Sequence, residues 1–269
     1  MGDMEEAIRK YYRGELVEAE KILKRILRNK PDDIHALVRY AAVQADLGHM
    51  EEAGAVYLKL AEIHEKEGSY GECLEFLDKA SFFHPPAKIS PLKGRCLFHL
   101  GRYIEALCHF MVSPEEHRNL FYTGKIYAAL NQHENALRTF RHILSNTADT
   151  EEMFRASYWI GKSLFALGEI EEAISCFTSY LSFYPGEVQV YMDLALCCLN
   201  SGRFEDAKKH LLQYQNSGGE PDIANFYTGI VDYHLGNYLE AIRRLDRVSH
   251  HQALHWKGLA HYELGQYED

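Results

Sequence analysis

Leu167-Gly168-Glu169-Ile170-Glu171-Glu172-Ala173 puts a helix stop, an acidic turn and a helix restart within seven residues. A glycine ending one helix in the left-handed conformation, followed within five residues by a small alanine on a new amphipathic run, is what a tight antiparallel helical hairpin requires. The pattern returns in both directions. Upstream it stands at Arg13-Gly14-Glu15-Leu16-Val17-Glu18-Ala19, at Leu47-Gly48-His49-Met50-Glu51-Glu52-Ala53 and from Leu100-Gly101 to Ala106. Downstream it runs from Ser201-Gly202 to Ala207 and from Leu235-Gly236 to Ala241. The glycines fall at 14, 48, 68, 101, 168, 202, 236 and 265, and Asn131 fills the remaining place. Asparagine is the best non-glycine substitute in that conformation. Successive steps are 34, 20, 33, 30, 37, 34, 34 and 29 residues, so one structural unit is repeated in tandem.

Within each unit the alanine lets the second helix approach the first. A large apolar residue four positions later fills the gap: Leu23, Tyr57, Leu77, Phe110, Phe140, Phe177, Leu211 and Leu245. On the first helix a small residue recurs where the backbones cross: Ala41, Gly94, Gly124, Gly161, Ala195, Gly229 and Gly258. Prolines at Pro31, Pro85 and Pro185 close units where a helix must stop. In these positions and spacings the chain resembles the tetratricopeptide repeat (TPR) family. The resemblance covers nearly all of residues 1–269 and implies an all-α fold, a right-handed superhelical solenoid of antiparallel helix-turn-helix repeats in a single array.

By the family's pattern, full hairpins are expected near 3–30, 34–66, 87–113, 117–146, 154–184, 188–216 and 222–249, with a further first helix at 251–264. That makes seven to eight hairpins. The 20-residue step from Gly48 to Gly68 is too short for a full repeat. Residues 50–66 are therefore expected to form one long helix serving two hairpins, followed by a helix over about 70–83, with an irregularity across 50–86. Gln266-Tyr267-Glu268-Asp269 stops where the pattern would begin another second helix, so the last repeat is incomplete. Trp256, Leu259, Tyr262 and Leu264 are then partly uncovered, and either further repeats follow or this face forms a homo-oligomer.

Composition agrees with a packed helical protein. Of 269 residues 46% are hydrophobic and 25% charged, and only seven are proline. A formal net charge of −10, from 39 acidic and 29 basic residues, argues against nucleic acid or an anionic membrane as partner. The acidic N-terminus lacks a secretory apolar run, and nothing approaches the roughly 18 to 20 apolar residues of a membrane span. Six cysteines without a CxxC pair read as reduced core thiols of a cytoplasmic protein.

Catalytic motifs are missing from the sequence: there is no GxSxG, GxxxxGK[ST] or GxGxxG. His251 and His255 stand at i and i+4 near His250 and His261, but lack the HExxH glutamate and a third ligand, so surface histidines are expected and no metal. Acidic pairs such as Glu51-Glu52 and Glu171-Glu172 lie at helix starts, where they complement the helix dipole. No enzyme and no cofactor is expected.

The family resemblance implies that residues two, five, nine and twelve of each first helix face a concave groove. Position two is Lys88, Arg118 and Arg155; position nine is Arg95, Lys125 and Lys162. Phe121 and Tyr158 stand at position five, Phe98 and Phe165 at position twelve. Further along, the same positions become apolar and aromatic: Met192, Leu196, Leu199, Phe226, Ile230, Tyr233 and Tyr262. Six cations interleaved with rings, in a chain of net charge −10, suggest a groove for an acidic, partly hydrophobic peptide. The alternative is that these cations snorkel over their own helices while the rings pack between repeats. The two-carboxylate clamp used by some family members requires asparagine at position six, where this chain has Arg39, Leu92, Tyr122, Trp159, Asp193 and Tyr227. The expected function is a protein-protein interaction scaffold or adaptor, with a regulatory subunit or sensor array as the alternative.

Overall fold

The protein is described here from a computed structural model, which covers residues 2–112, 117–249 and 251–266. Among these residues the ordered secondary structure is helical throughout, and the fold class is all-α. The chain divides into two compact units, Met1–Ile126 and Tyr127–Asp269. The first contains α1 (Asp3–Tyr12), α2 (Leu16–Asn29), α3 (Ile34–Asp46), α4 (Met50–Lys66), α5 (Tyr70–Ala80), α6 (Pro86–His99), α7 (Tyr103–Phe110) and most of α8 (His117–Ala129). The second contains α9 (His133–Asn146), α10 (Thr150–Leu167), α11 (Ile170–Phe183), α12 (Val188–Asn200), α13 (Phe204–Asn216), α14 (Pro221–His234), α15 (Tyr238–Leu245) and α16 (His251–Glu263).

The turns carry the backbone the hairpin pattern demands. Gly168 closes α10 at φ 86, and Asn131 sits in the same left-handed region at φ 57. Every other glycine of the repeated motif also has positive φ, joined by Gly218. After each turn the motif alanine disappears from solvent: Ala19, Ala53, Ala106, Ala136, Ala173, Ala207 and Ala241 are all fully buried. The large residue one turn later follows it inside, as at Phe110, Phe140 and Phe177.

Helix crossings explain the small residues on the first helices. A Cβ at Gly94 would meet the Phe110 ring at 2.6 Å, one at Gly161 the Phe177 ring at 2.9 Å, and one at Gly229 the Leu245 side chain at 2.8 Å. Gly54 on α4 is equally tight, with Phe83 Cβ 2.5 Å from its own absent Cβ. At Gly258 nothing lies within 4 Å.

Several boundaries differ from expectation, among them the ends of α7 at Phe110 and of α15 at Leu245, short of 113 and 249. Helix α10 begins at Thr150 rather than near 154, because the Asp149 side chain accepts a hydrogen bond from the Glu151 amide at 3.0 Å and caps the extra turn. Helix α5 stops at Ala80, and residues 81–83 form a turn instead of continuing it. Helix α4, at 17 residues, packs on α3 on one side and α5 on the other. Along α4 and α5 the neighbours run Gly54 with Phe83 and His64 with Phe76, so the two are antiparallel.

Partly covered histidines give the fold a pH dependence. Desolvation pushes the half-buried His109 and His210, and the more exposed His99, below the ordinary imidazole value of 6.5, with the nearby cations Lys93 and Lys125 adding to the effect at His109 and His99 respectively. The folded state then binds fewer protons than the unfolded chain in that range, so stability rises with pH there. The contribution is complete above about pH 6.5 and is lost as pH falls toward the lowered folded values. Melting temperature should therefore drop between about pH 7 and pH 5; a flat profile across that window would contradict the assignment.

Candidate peptide-binding site

In the first unit the expected groove residues divide into three kinds. Arg95 is already engaged: its Nε donates to Glu65 Oε1 at 2.6 Å and its Nη2 to Oε2 at 3.2 Å, in a two-pronged pair that ties α6 to α4. Both side chains are mostly covered, at 14% and 25% exposure, and such forked pairs hold geometry as well as charge. Lys125 lies over the rings of Phe98, Phe121 and Tyr122 at 5.8, 5.5 and 5.9 Å, within cation–π range of each. Phe121 is buried, so it packs between helices rather than standing out as an anchor. Phe98 is half-buried, while Lys88 and Arg118 are exposed.

The second unit repeats this division. Lys162 Nζ reaches Asp193 Oδ1 at 3.2 Å, and the Tyr158 hydroxyl donates to Asp193 Oδ2 at 2.9 Å. Asp193 is only 6% exposed, and burial together with that carboxylate raises the Tyr158 hydroxyl well above its ordinary range. Arg155 is exposed and Phe165 half-buried. Arg95 and Lys162 therefore meet acids of their own chain, and Lys125 covers rings. The exposed ones are the position-two residues.

A different feature opens in the second unit. A cavity of about 650 Å³ is floored by Met192 and Leu196 of α12, Tyr214 of α13 and Phe226 of α14. Gln189, Asp222, Ile223, Tyr227, Val248, Ser249 and Gln252 complete its wall, and Asp222 is the one charged residue among the lining groups. Met192, Leu196 and Phe226 are three of the apolar groove positions read from the sequence. Met192 and Phe226 sink into the core at 4% and 8% exposure, whereas Ile223 keeps 37% of its surface open at the mouth. The volume lies within the roughly 300 to 1,000 Å³ of ordinary ligand sites.

Buried acids brace the same unit. Asp232 on α14 is fully buried between Lys208 Nζ at 2.6 Å and Arg244 Nε at 2.9 Å, which link α13 and α15 through one carboxylate. Sequence reading missed this acid, because its partners are 24 and 12 residues away. Among the described residues no group of three His, Cys, Asp or Glu side chains gathers at metal-binding separation, and His250 lies outside them. The Cys197 thiol is pushed up to about 12, chiefly by burial, which keeps it unreactive. No described helix is long and apolar enough to cross a membrane.

Helical hairpins stacked in series, with a cavity lined by successive first helices, define a repeat protein of the interaction-module class. One tetratricopeptide repeat model matches residues 3–70 and 118–188, and a second matches 164–230. The chain belongs to the tetratricopeptide repeat family. Intraflagellar transport protein 70A of Danio rerio is 27% identical over 191 residues, covering 68% of this chain and 28% of that protein. The chain thus spans little more than a quarter of that relative's length. Among solved structures, PilW, a type IV pilus biogenesis factor, aligns with a TM-score of 0.63 at 15% identity, covering 72% of this chain and 91% of PilW. PilF of Pseudomonas aeruginosa aligns at 0.58 and 15% identity, covering 81% of this chain and 98% of PilF. These are likenesses of fold.

Proposed function

We propose that the protein is an interaction scaffold that holds partner proteins, and that the cavity of the second unit is where a partner's short apolar segment is seated. The observation that carries this is the cavity itself: an apolar floor from three neighbouring helices with a mouth set by Ile223 and Asp222. Apolar anchors filling such a pocket supply most of the affinity of a peptide complex, while peripheral charges set orientation and encounter rate. The exposed cations Lys88, Arg118 and Arg155 offer attachment points to acidic residues of a partner. Each contributes only about 0.2 to 1 kcal/mol and weakens with salt. The reading places the protein in the cytoplasm, the setting to which its six thiols point.

The test uses a partner identified by affinity capture, then purified. Ile223→Glu puts a charge at the mouth of the cavity on a residue exposed enough to leave the core intact. Affinity measured by calorimetry should fall by roughly 10-fold to 100-fold, the cost of about 1.4 to 2.8 kcal/mol expected for one disrupted anchor site. Arg118→Glu combined with Arg155→Glu should lower it less, with the difference vanishing at high salt. Unchanged affinity in Ile223→Glu, with loss in the charge-reversed pair, would move the binding site from the cavity to the cations.

A further inference from the structure

Cys73 on α5 and Cys96 on α6 face each other with their Sγ atoms 3.0 Å apart. Both are fully buried, in a cluster shared with Ala61, Leu77, Ile89 and Leu92. They are free thiols. The separation is only about 1 Å longer than the ~2.05 Å of a disulfide bond. Antiparallel packing fixes the approach: Lys93 Nζ meets Asp78 Oδ1 at 2.6 Å about one turn along the same helix pair. We propose that Cys73 and Cys96 form an oxidisable dithiol, which a hydroperoxide converts into a disulfide locking α5 to α6.

The two sulfurs share one hydrogen bond, from the Cys96 S–H to Cys73 Sγ, inside the same apolar cluster, so either can be the attacking sulfur. That sulfur, once its proton has passed to solvent, attacks one oxygen of hydrogen peroxide as the thiolate, breaking the O–O bond to give a sulfenic acid and hydroxide. The partner sulfur next attacks the sulfenic sulfur, the sulfenic hydroxyl leaves as water with the partner thiol's proton, and the proton first released to solvent turns the hydroxide into the second water. Two thiols and one peroxide become one disulfide and two waters. Hydrogen peroxide is small enough to enter during brief local openings of the helix pair, so the reaction is slower than at an exposed thiol but ends in a cross-link. A thiol reductant restores the dithiol. The other cysteines have no such partner at hand: Cys108 is exposed, Cys176 half-buried, and Cys197 and Cys198 are helix neighbours that project in different directions.

The experiment treats the folded full chain with hydrogen peroxide, alkylates remaining thiols after denaturation, and maps peptides without reduction. The expected result is a linked pair of peptides containing Cys73 and Cys96, lighter by two hydrogens, which separates on reduction. The cross-link closes a 23-residue separation and should raise the melting temperature by several degrees. That rise should be absent in Cys73→Ser. Recovery of both Cys73 and Cys96 fully alkylated, under treatment that oxidises Cys108, would overturn the proposal. Should Cys73→Ser fail to fold, the peptide map of the parent chain still decides it.

Discussion

Gly161→Leu should lower stability by roughly 1 to 3 kcal/mol or more, the range for forcing extra side-chain atoms into a filled crossing. The first added atom already falls 2.9 Å from the Phe177 ring and 3.1 Å from Cys176 Cβ. Phe177 is fully buried, so its ring has no open space into which to swing. Helices α10 and α11 must therefore separate, and each hairpin in a repeat array depends on that contact to bury its apolar face. Gly258→Leu is the control: the same kind of position on α16 has nothing within 4 Å, and the substitution should be nearly neutral. Thermal melts of the two variants settle the matter. If Gly161→Leu melts within about a degree of the parent, Gly161 does not sit at the crossing.

Asp232→Ala should be of similar severity for a different reason. The carboxylate is fully buried and takes a cation on each oxygen, so it holds three helices at one point. Removing one member of a buried ion pair costs about 3 to 5 kcal/mol when the charge left behind is trapped. Here Lys208 and Arg244 keep 37% and 29% of their side-chain surface and can turn toward water, so a loss nearer 2 kcal/mol is expected. Asp232→Asn is the informative companion, since it preserves shape while removing the charge and aiming an amide donor at a cation. It should lose at least half of what the alanine variant loses in chemical denaturation. An asparagine variant as stable as the parent would show that the pair contributes shape alone.

The hairpin turns were legible because they are local: a left-handed residue, an acidic first turn and an alanine lie within seven residues, and each is dictated by backbone geometry. Gly54 was missed, since its crossing partner Phe83 belongs to a turn with no counterpart elsewhere in the repeat. The extra turn of α10 was written in Asp149, a capping residue that the repeat pattern outweighed. Site residues were harder to read, because what a cation does depends on which helix stands beside it. Arg95 and Lys162 find Glu65 and Asp193 at separations of 30 and 31 residues, and that register exists only once the hairpins are packed. Lys162→Glu would consequently push a second carboxylate against Asp193 and disturb the fold as well as the groove. Arg118 and Arg155 are more exposed than Arg95 or Lys162, so reversing them disturbs packing less.

Helix α4 serves as partner to both α3 and α5, and this has a consequence for direction. The turn at Gly48 reverses the chain between α3 and α4, α5 reverses it again, and the pairs Cys73–Cys96 and Asp78–Lys93 show that α6 reverses it once more. Helix α6 therefore runs parallel to α4, which the Arg95–Glu65 pair joins to it, and opposite to α3. In the first unit the leading helices of the early hairpins point one way and the leading helix of the later hairpin points the other. A ligand laid along α1 and α3 meets the chain with one polarity, and along α6 it meets the opposite one. A single extended peptide reading successive hairpins in a constant sense would have to begin or end at α4.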